Sequence, residues 1–88
     1  MLPKNRPPAH PGEILLSEFL EPKGLSQSAL AEKLDIPVQR VNTLINGKRG
    51  MSPETALLLA QFFETTPEFW MNLQTKFDLW HARREMQS

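Results

Sequence analysis

The chain has no cysteine, which removes disulfides, thiol nucleophiles and cysteine-based zinc sites in one step. Tyrosine is missing too, and the two histidines, His10 and His81, stand near opposite ends. Neither a Ser/His/Asp set nor a histidine metal site has a starting point, and no carboxylates pair at a useful spacing. Glu13, Glu18, Glu21, Glu32 and Asp35 are dispersed at positions that read as solvated helix faces. No catalytic residue, metal ligand or cofactor is expected, and the chain does not read as an enzyme. No apolar run approaches the roughly 20 residues needed to span a bilayer. The N-terminal stretch is polar and proline-rich rather than basic and then apolar, so no signal peptide is predicted and the cytoplasm is the expected compartment. Alternating apolar–polar runs are absent, which leaves no candidate strand and points to an all-α fold. An excess of positive charge is also lacking: ten basic and ten acidic residues give a formal net charge of zero. Any nucleic-acid surface must therefore be a local one.

What is present suits one small domain. The 88 residues are 40% hydrophobic and include two Trp, near the lower end of the size at which a single core suffices. Residues 1–10 hold three prolines and little that packs; they read as a flexible arm preceding a domain over 11–88. Lys4 and Arg6 are thin support for any backbone contact from that arm. Pro11-Gly12-Glu13 opens a first helix whose core stripe is Leu15, Leu16, Phe19 and Leu20, with Pro22 and Gly24 ending it. Ser52-Pro53-Glu54 and Thr66-Pro67-Glu68 repeat one start device: an N-cap, a proline in the first turn and a carboxylate at the positive end of the dipole. They predict helices over about 53–64 and 67–85. In the first of these, Ala56, Leu57, Leu59, Ala60 and Phe63 predict a central, widely apolar helix.

The chain is organised around the stretch from Leu25 to Arg49. Ser26 is the expected N-cap of a helix with Leu30, Ala31 and Leu34 on its inner face. Asp35-Ile36-Pro37 breaks that helix, and Pro37 suits the first turn of the next. There Val41, Leu44 and Ile45 face inward, and Asn46-Gly47 tolerates a left-handed cap. Outside remain Val38, Gln39, Arg40, Asn42 and Thr43, with Lys48 and Arg49 directly after. No acid occurs between Ile36 and Pro53, against three positive charges. Singly, each polar residue reads as a solvated helix face. Together they read as the recognition helix of a helix-turn-helix. Val38, Gln39 and Thr43 are the expected base contacts, Arg40 and Asn42 secondary ones; Gln can bond adenine bidentately, and Val38 or the Thr43 methyl suits a thymine methyl. Ser26, Gln27, Asn46, Lys48 and Arg49 are the expected phosphate contacts.

The last helix carries Phe69, Trp70, Leu73, Phe77 and Trp80 at helical spacing. Trp70 and Leu73 are expected to anchor it to the body. Phe69, Phe77 and Trp80 are expected at a homodimer interface, because one recognition helix reads few bases and such modules pair to read half-sites about 34 Å apart in an inverted repeat of double-stranded DNA.

An ordered series of motifs carries a resemblance: His10-Pro11-Gly12-Glu13-Ile14-Leu15, Gly24-Leu25-Ser26-Gln27 with Leu30-Ala31, Arg40-Val41-Asn42 with Asn46-Gly47-Lys48-Arg49, Ser52-Pro53-Glu54-Thr55-Ala56, and Pro67-Glu68-Phe69-Trp70-Met71-Asn72-Leu73-Gln74. The chain resembles the Xre, lambda-repressor-like helix-turn-helix superfamily, and within it the HigA antitoxins, also called the virulence-associated protein I (VapI) type. Asp35 departs from the glycine more usual in that turn. The resemblance implies a lambda-repressor-like bundle of five helices, autorepression of an operon as a dimer, and neutralisation of a HigB-type toxin, a ribosome-dependent messenger-RNA endonuclease. The toxin partner is implied by the family alone. A stand-alone Xre-type repressor without a toxin, or a protein–protein adaptor that no longer binds DNA, remains an alternative.

Overall fold

The computed structural model describes residues 7–87, and within them there are five helices and no strand. Helix α1 spans 11–23 as three continuous pieces: an α-helical start at Pro11–Ile14, a π-helical stretch at Leu15–Leu20 and a closing α-turn at Glu21–Lys23. It is followed by α2 (Gln27–Leu34), α3 (Val38–Ile45), α4 (Pro53–Phe63) and α5 (Pro67–Gln87). Of the expected arm, residues 1–6, with Lys4 and Arg6, lie outside the described residues.

Local signals account for most boundaries. The Ser26 Oγ accepts the Ala29 N–H at 3.0 Å, the Ser52 Oγ accepts that of Thr55 at 3.2 Å, and the Thr66 Oγ1 accepts that of Phe69 at 3.1 Å. Each satisfies one orphan donor at a helix start. Pro22 does not end α1, contrary to the sequence reading; it is carried inside the last turn, and Gly24, at φ 61°, terminates the helix. Proline lacks an N–H and crowds the preceding turn. The π-helical stretch absorbs this: the Glu21 N–H reaches back five residues to the Leu16 carbonyl, widening the helix just before Pro22. Asp35, at φ 57°, supplies the left-handed residue after α2, a conformation Asp adopts more readily than most residues. Pro37 sits one position earlier than expected, as the N-cap of α3 rather than in its first turn. Its fixed φ suits either place, and its extended ψ of 142° makes the corner between α2 and α3.

The core joins all five helices. Leu15 and Leu20 of α1, Leu30 of α2, Leu44 of α3, Leu59 of α4 and Trp70 of α5 are each no more than 2% exposed. Trp70 anchors the start of α5: its indole N–H donates to the Thr65 Oγ1 at 2.8 Å, and its ring lies 5.0 Å from that of Phe19. Leu57 was expected inside but is 59% exposed. Ala56, Leu59, Ala60 and Phe63 follow the i, i+3, i+4, i+7 stripe that meets the core, and Leu57 lies about 100° away from it. One close approach positions α3. A Cβ on Gly12 would fall 1.9 Å from the Leu44 carbonyl oxygen, so only glycine lets the start of α1 press against the end of α3.

Candidate nucleic-acid interface

Helices α2 and α3 form the predicted pair. Val41 and Leu44 of α3 are buried and Ile45 half-buried, which rolls the opposite side of the helix outward. Gln39, Asn42, Thr43 and Asn46 fall at i, i+3, i+4 and i+7, a single stripe on that side. Gln39, Asn42 and Asn46 are exposed, Thr43 is half-buried, and Val38 at the helix start is 44% exposed. The Gln39 side chain makes no hydrogen bond among the described residues, so its amide is free for an external partner. Thr43 differs: its hydroxyl donates to the Gln39 carbonyl at 2.9 Å, leaving its oxygen lone pairs and methyl group to offer.

A lateral amide chain crosses this face. The Asn42 amide donates to the Gln27 Oε1 of α2 at 3.1 Å, and the Asn46 amide donates to the Asn42 Oδ1 at 3.2 Å. An expected base contact thus shares hydrogen bonds with two expected phosphate contacts. The chain fixes Asn42 between the helices and ties the roll of α3 to α2. Ser26 is committed through its Oγ to capping α2. Lys48 and Arg49 are exposed and form no ion pair among the described residues. They follow Gly47, whose φ of 74° turns the chain out of α3.

Arg40 is placed differently from its neighbours. Its Nη2 pairs with the Glu54 carboxylate and donates to the Thr55 Oγ1 at 3.0 Å, both at the start of α4. It is therefore turned aside from the Gln39–Asn42 stripe toward the protein body. The sequence reading missed this tie, although Glu54 is the first acid after the acid-free stretch.

Two further contacts brace the region from outside the helix-turn-helix. The loop after α3 is held by Gln74 of α5, whose Oε1 accepts the Met51 N–H at 2.6 Å, while its amide donates to the Asp78 carboxylate at 2.9 Å. His10, the last residue of the expected arm, caps α1 through its Nδ1, which accepts the Gly12 N–H at 2.9 Å. Its ring stands edge-on to Phe77 at 4.9 Å. Burial pushes the His10 pKa below its usual value, with Asp78 and then Glu13 acting in the opposite direction.

The three expected interface aromatics are separated in environment. Phe69 is 38% exposed and packs edge-on against Trp70. Phe77 is half-buried between His10 and His81. Trp80 is half-buried, flanked by His81 and by the Arg84 guanidinium 5.1 Å over its ring. Leu79, on the same helix, is 47% exposed and was not singled out from the sequence. Among the described residues no cluster of His, Cys, Asp or Glu could hold a metal ion, and no helix is long and apolar enough to cross a membrane.

A helix-turn-helix family model matches residues 16–70, which contain α2, α3 and α4. Virulence-associated protein I of Dichelobacter nodosus is 44% identical over 86 residues, covering 97% of this chain and 80% of that protein. The structure of the Pseudomonas aeruginosa antitoxin HigA with the higBA promoter superposes with a TM-score of 0.86 at 41% identity, covering 89% of this chain and 85% of that one. The chain belongs to the HigA/VapI type of the Xre helix-turn-helix family. A further relative, 46% identical over 86 residues and covering 94% of this chain and 80% of its own length, is described only as an HTH-type transcriptional regulator of Haemophilus influenzae. In this HigA/VapI-type chain the family match ends at Trp70. The rest of α5, with Phe77 and Trp80, lies beyond it.

Proposed function

We propose that this chain is a sequence-specific DNA-binding antitoxin that acts in the cytoplasm, represses its own operon as a homodimer and neutralises a HigB-type messenger-RNA endonuclease. The observation that carries the DNA half is the outward side of α3. Gln39 is unbonded, Asn42 is fixed by Gln27, and the basic pair Lys48–Arg49 follows without a neighbouring acid. Amide side chains on the exposed face of a short helix suit base edges in a major groove, and the flanking cations suit phosphates. Gln39 with Val38 and Thr43 reads bases, with Asn42 secondary. Gln27, Asn46, Lys48 and Arg49, with the cap at Ser26, hold the backbone. Likeness to a HigA antitoxin whose structure was determined with the higBA promoter supports DNA binding by this fold.

The toxin half rests on the antitoxin name of that structural relative. Selection of duplexes from a random pool by the purified protein tests the DNA half, and an inverted repeat is the expected product. Tagged protein isolated from its native host should carry a small basic nuclease whose messenger-RNA cleavage it blocks. A stand-alone repressor is the second reading, favoured by the Haemophilus influenzae relative described only as a regulator. Duplex selection without any nuclease partner would establish it. Failure to bind any DNA at low salt would instead leave an adaptor.

A further inference from the structure

We propose that Arg40 is a positioning residue of the DNA-reading surface: its pairing with Glu54 and Thr55 sets the roll of α3, so that Gln39 and Asn42 present their amides in one register. The proposal rests on the DNA-binding reading above and assigns Arg40 no contact with DNA.

Three observations carry it. First, Arg40 sits on the recognition helix, yet its Nη2 holds two partners at the start of α4, the Glu54 carboxylate and the Thr55 Oγ1. To reach a base it would have to abandon both. Second, its side chain is only 22% exposed, whereas the Glu54 side chain is 73% exposed. The cation is folded onto the body, and the acid reaches over to meet it. Third, the Arg40 Nε is buried with no hydrogen-bond partner, a desolvation cost that the pairings at Nη2 must offset. A side chain waiting for phosphate would keep its guanidinium in water.

The partners are themselves fixed. Thr55 is buried, and its Oγ1 bonds the Oγ of Ser52, the N-cap of α4. Arg40 therefore docks α3 against a helix start that cannot shift alone. On the opposite flank, the bond from Asn42 to Gln27 docks α3 against α2. Two lateral ties, one to α2 and one to α4, define the rotation of an eight-residue helix about its axis. Both bonds leave the Nη2, which is held in the plane of a rigid guanidinium, so Arg suits this role better than Lys, whose freely rotating ammonium would leave the angle free.

The experiment compares wild type, Arg40→Met, Glu54→Gln and the double variant on the duplex selected by the wild type and on a scrambled duplex, across a salt series. Circular dichroism checks that each is helical. Glu54→Gln alters an exposed carboxylate and keeps the fold testable even if Arg40→Met does not. Each single variant is expected to lower the ratio of selected to scrambled affinity about tenfold, with the double variant no worse than either. Arg40→Met is expected to leave the salt slope on the scrambled duplex unchanged. A slope lower by about one unit would mean that Arg40 neutralises a phosphate and would overturn the proposal. So would tighter, more selective binding by Glu54→Gln, the sign of an Arg released toward DNA, or an unchanged ratio in both singles. If the wild type selects no duplex, the DNA reading fails and takes this proposal with it; selection with unaffected variants sinks this proposal alone.

Discussion

Helices α3 and α5 are opposite cases of how a helix is held. α3 has eight residues and is tied on both flanks, to α2 through Asn42–Gln27 and to α4 through Arg40, while Val41 and Leu44 sink into the core. What it leaves over is polar. α5 has 21 residues, about 31 Å of helix, and Trp70 is its single fully buried side chain among those described. What it leaves over is apolar: Phe69, Leu79 and a half-buried Trp80, with every described residue from His81 onward exposed. Each surplus lies outside the buried core. An ordered row of amides suits a partner that is read by hydrogen bonds, and a graded aromatic surface suits one that is matched by area. The contrast sets the proposed DNA face apart from the proposed dimer face by the chemistry each leaves exposed.

The contrast is broken most severely at Trp70. Trp70→Ala should destabilise the fold by about 3–5 kcal/mol, because a fully buried ring and its bond to Thr65 are both lost. Urea titration followed by circular dichroism measures this. A loss below about 1 kcal/mol would mean that α5 is not anchored there.

Next comes the DNA face. Gln39→Ala should cost about 1–3 kcal/mol at the selected duplex and relax preference at one base position, with thermal stability unchanged. Lys48→Ala and Arg49→Ala should weaken all duplexes alike and lower the salt slope by about one unit each. Unchanged selectivity in the first variant would strike Gln39 from the reading set.

Trp80→Ala tests the other surplus. It should shift the protein toward monomer in sedimentation while costing the fold no more than about 1 kcal/mol, since Trp80 is only half-buried and its ring meets His81 and Arg84 of its own helix. A variant that stays dimeric would move the interface elsewhere on the molecule.

The smallest effect is one of pH. His10 caps α1 with a neutral Nδ1, and burial holds its pKa below the usual 6.5. Because the folded value is the lower one, the stability His10 contributes is complete above the unfolded pKa and is lost as pH falls through the folded value. His10→Asn retains a capping acceptor without titrating and should flatten this acid loss. His10→Ala should cost about 1 kcal/mol at neutral pH. Melting curves between pH 7.5 and pH 5, on the order of one unit either side of an ordinary His, distinguish the two; an acid limb unchanged in His10→Asn would assign the loss to other groups.

How much was legible depends on the range of the interaction. Helix starts at Ser26, Ser52 and Thr66, the inward faces of α2 and α3, and the anchor at Trp70 could be read directly, because a cap reaches three residues and a helical stripe repeats within four. The absence of acids from Pro37 to Ser52 likewise announced a surface of one sign before any fold was known. Contacts between elements could not be read this way. Pro22 looked like a stop, and only the π-helical turn before it allowed α1 to continue. Leu57 looked like core until the packing of α4 chose which side of an apolar helix would face in. Arg40 was read as a secondary base contact, and its pairing with Glu54 and Thr55, 14 and 15 residues away, could not be seen from its own neighbourhood. Local chemistry thus determined the helices, their order and the sign of the surface. Tertiary packing decided how each helix is rolled, and with it which polar side chains are committed within the fold and which remain free to meet a partner.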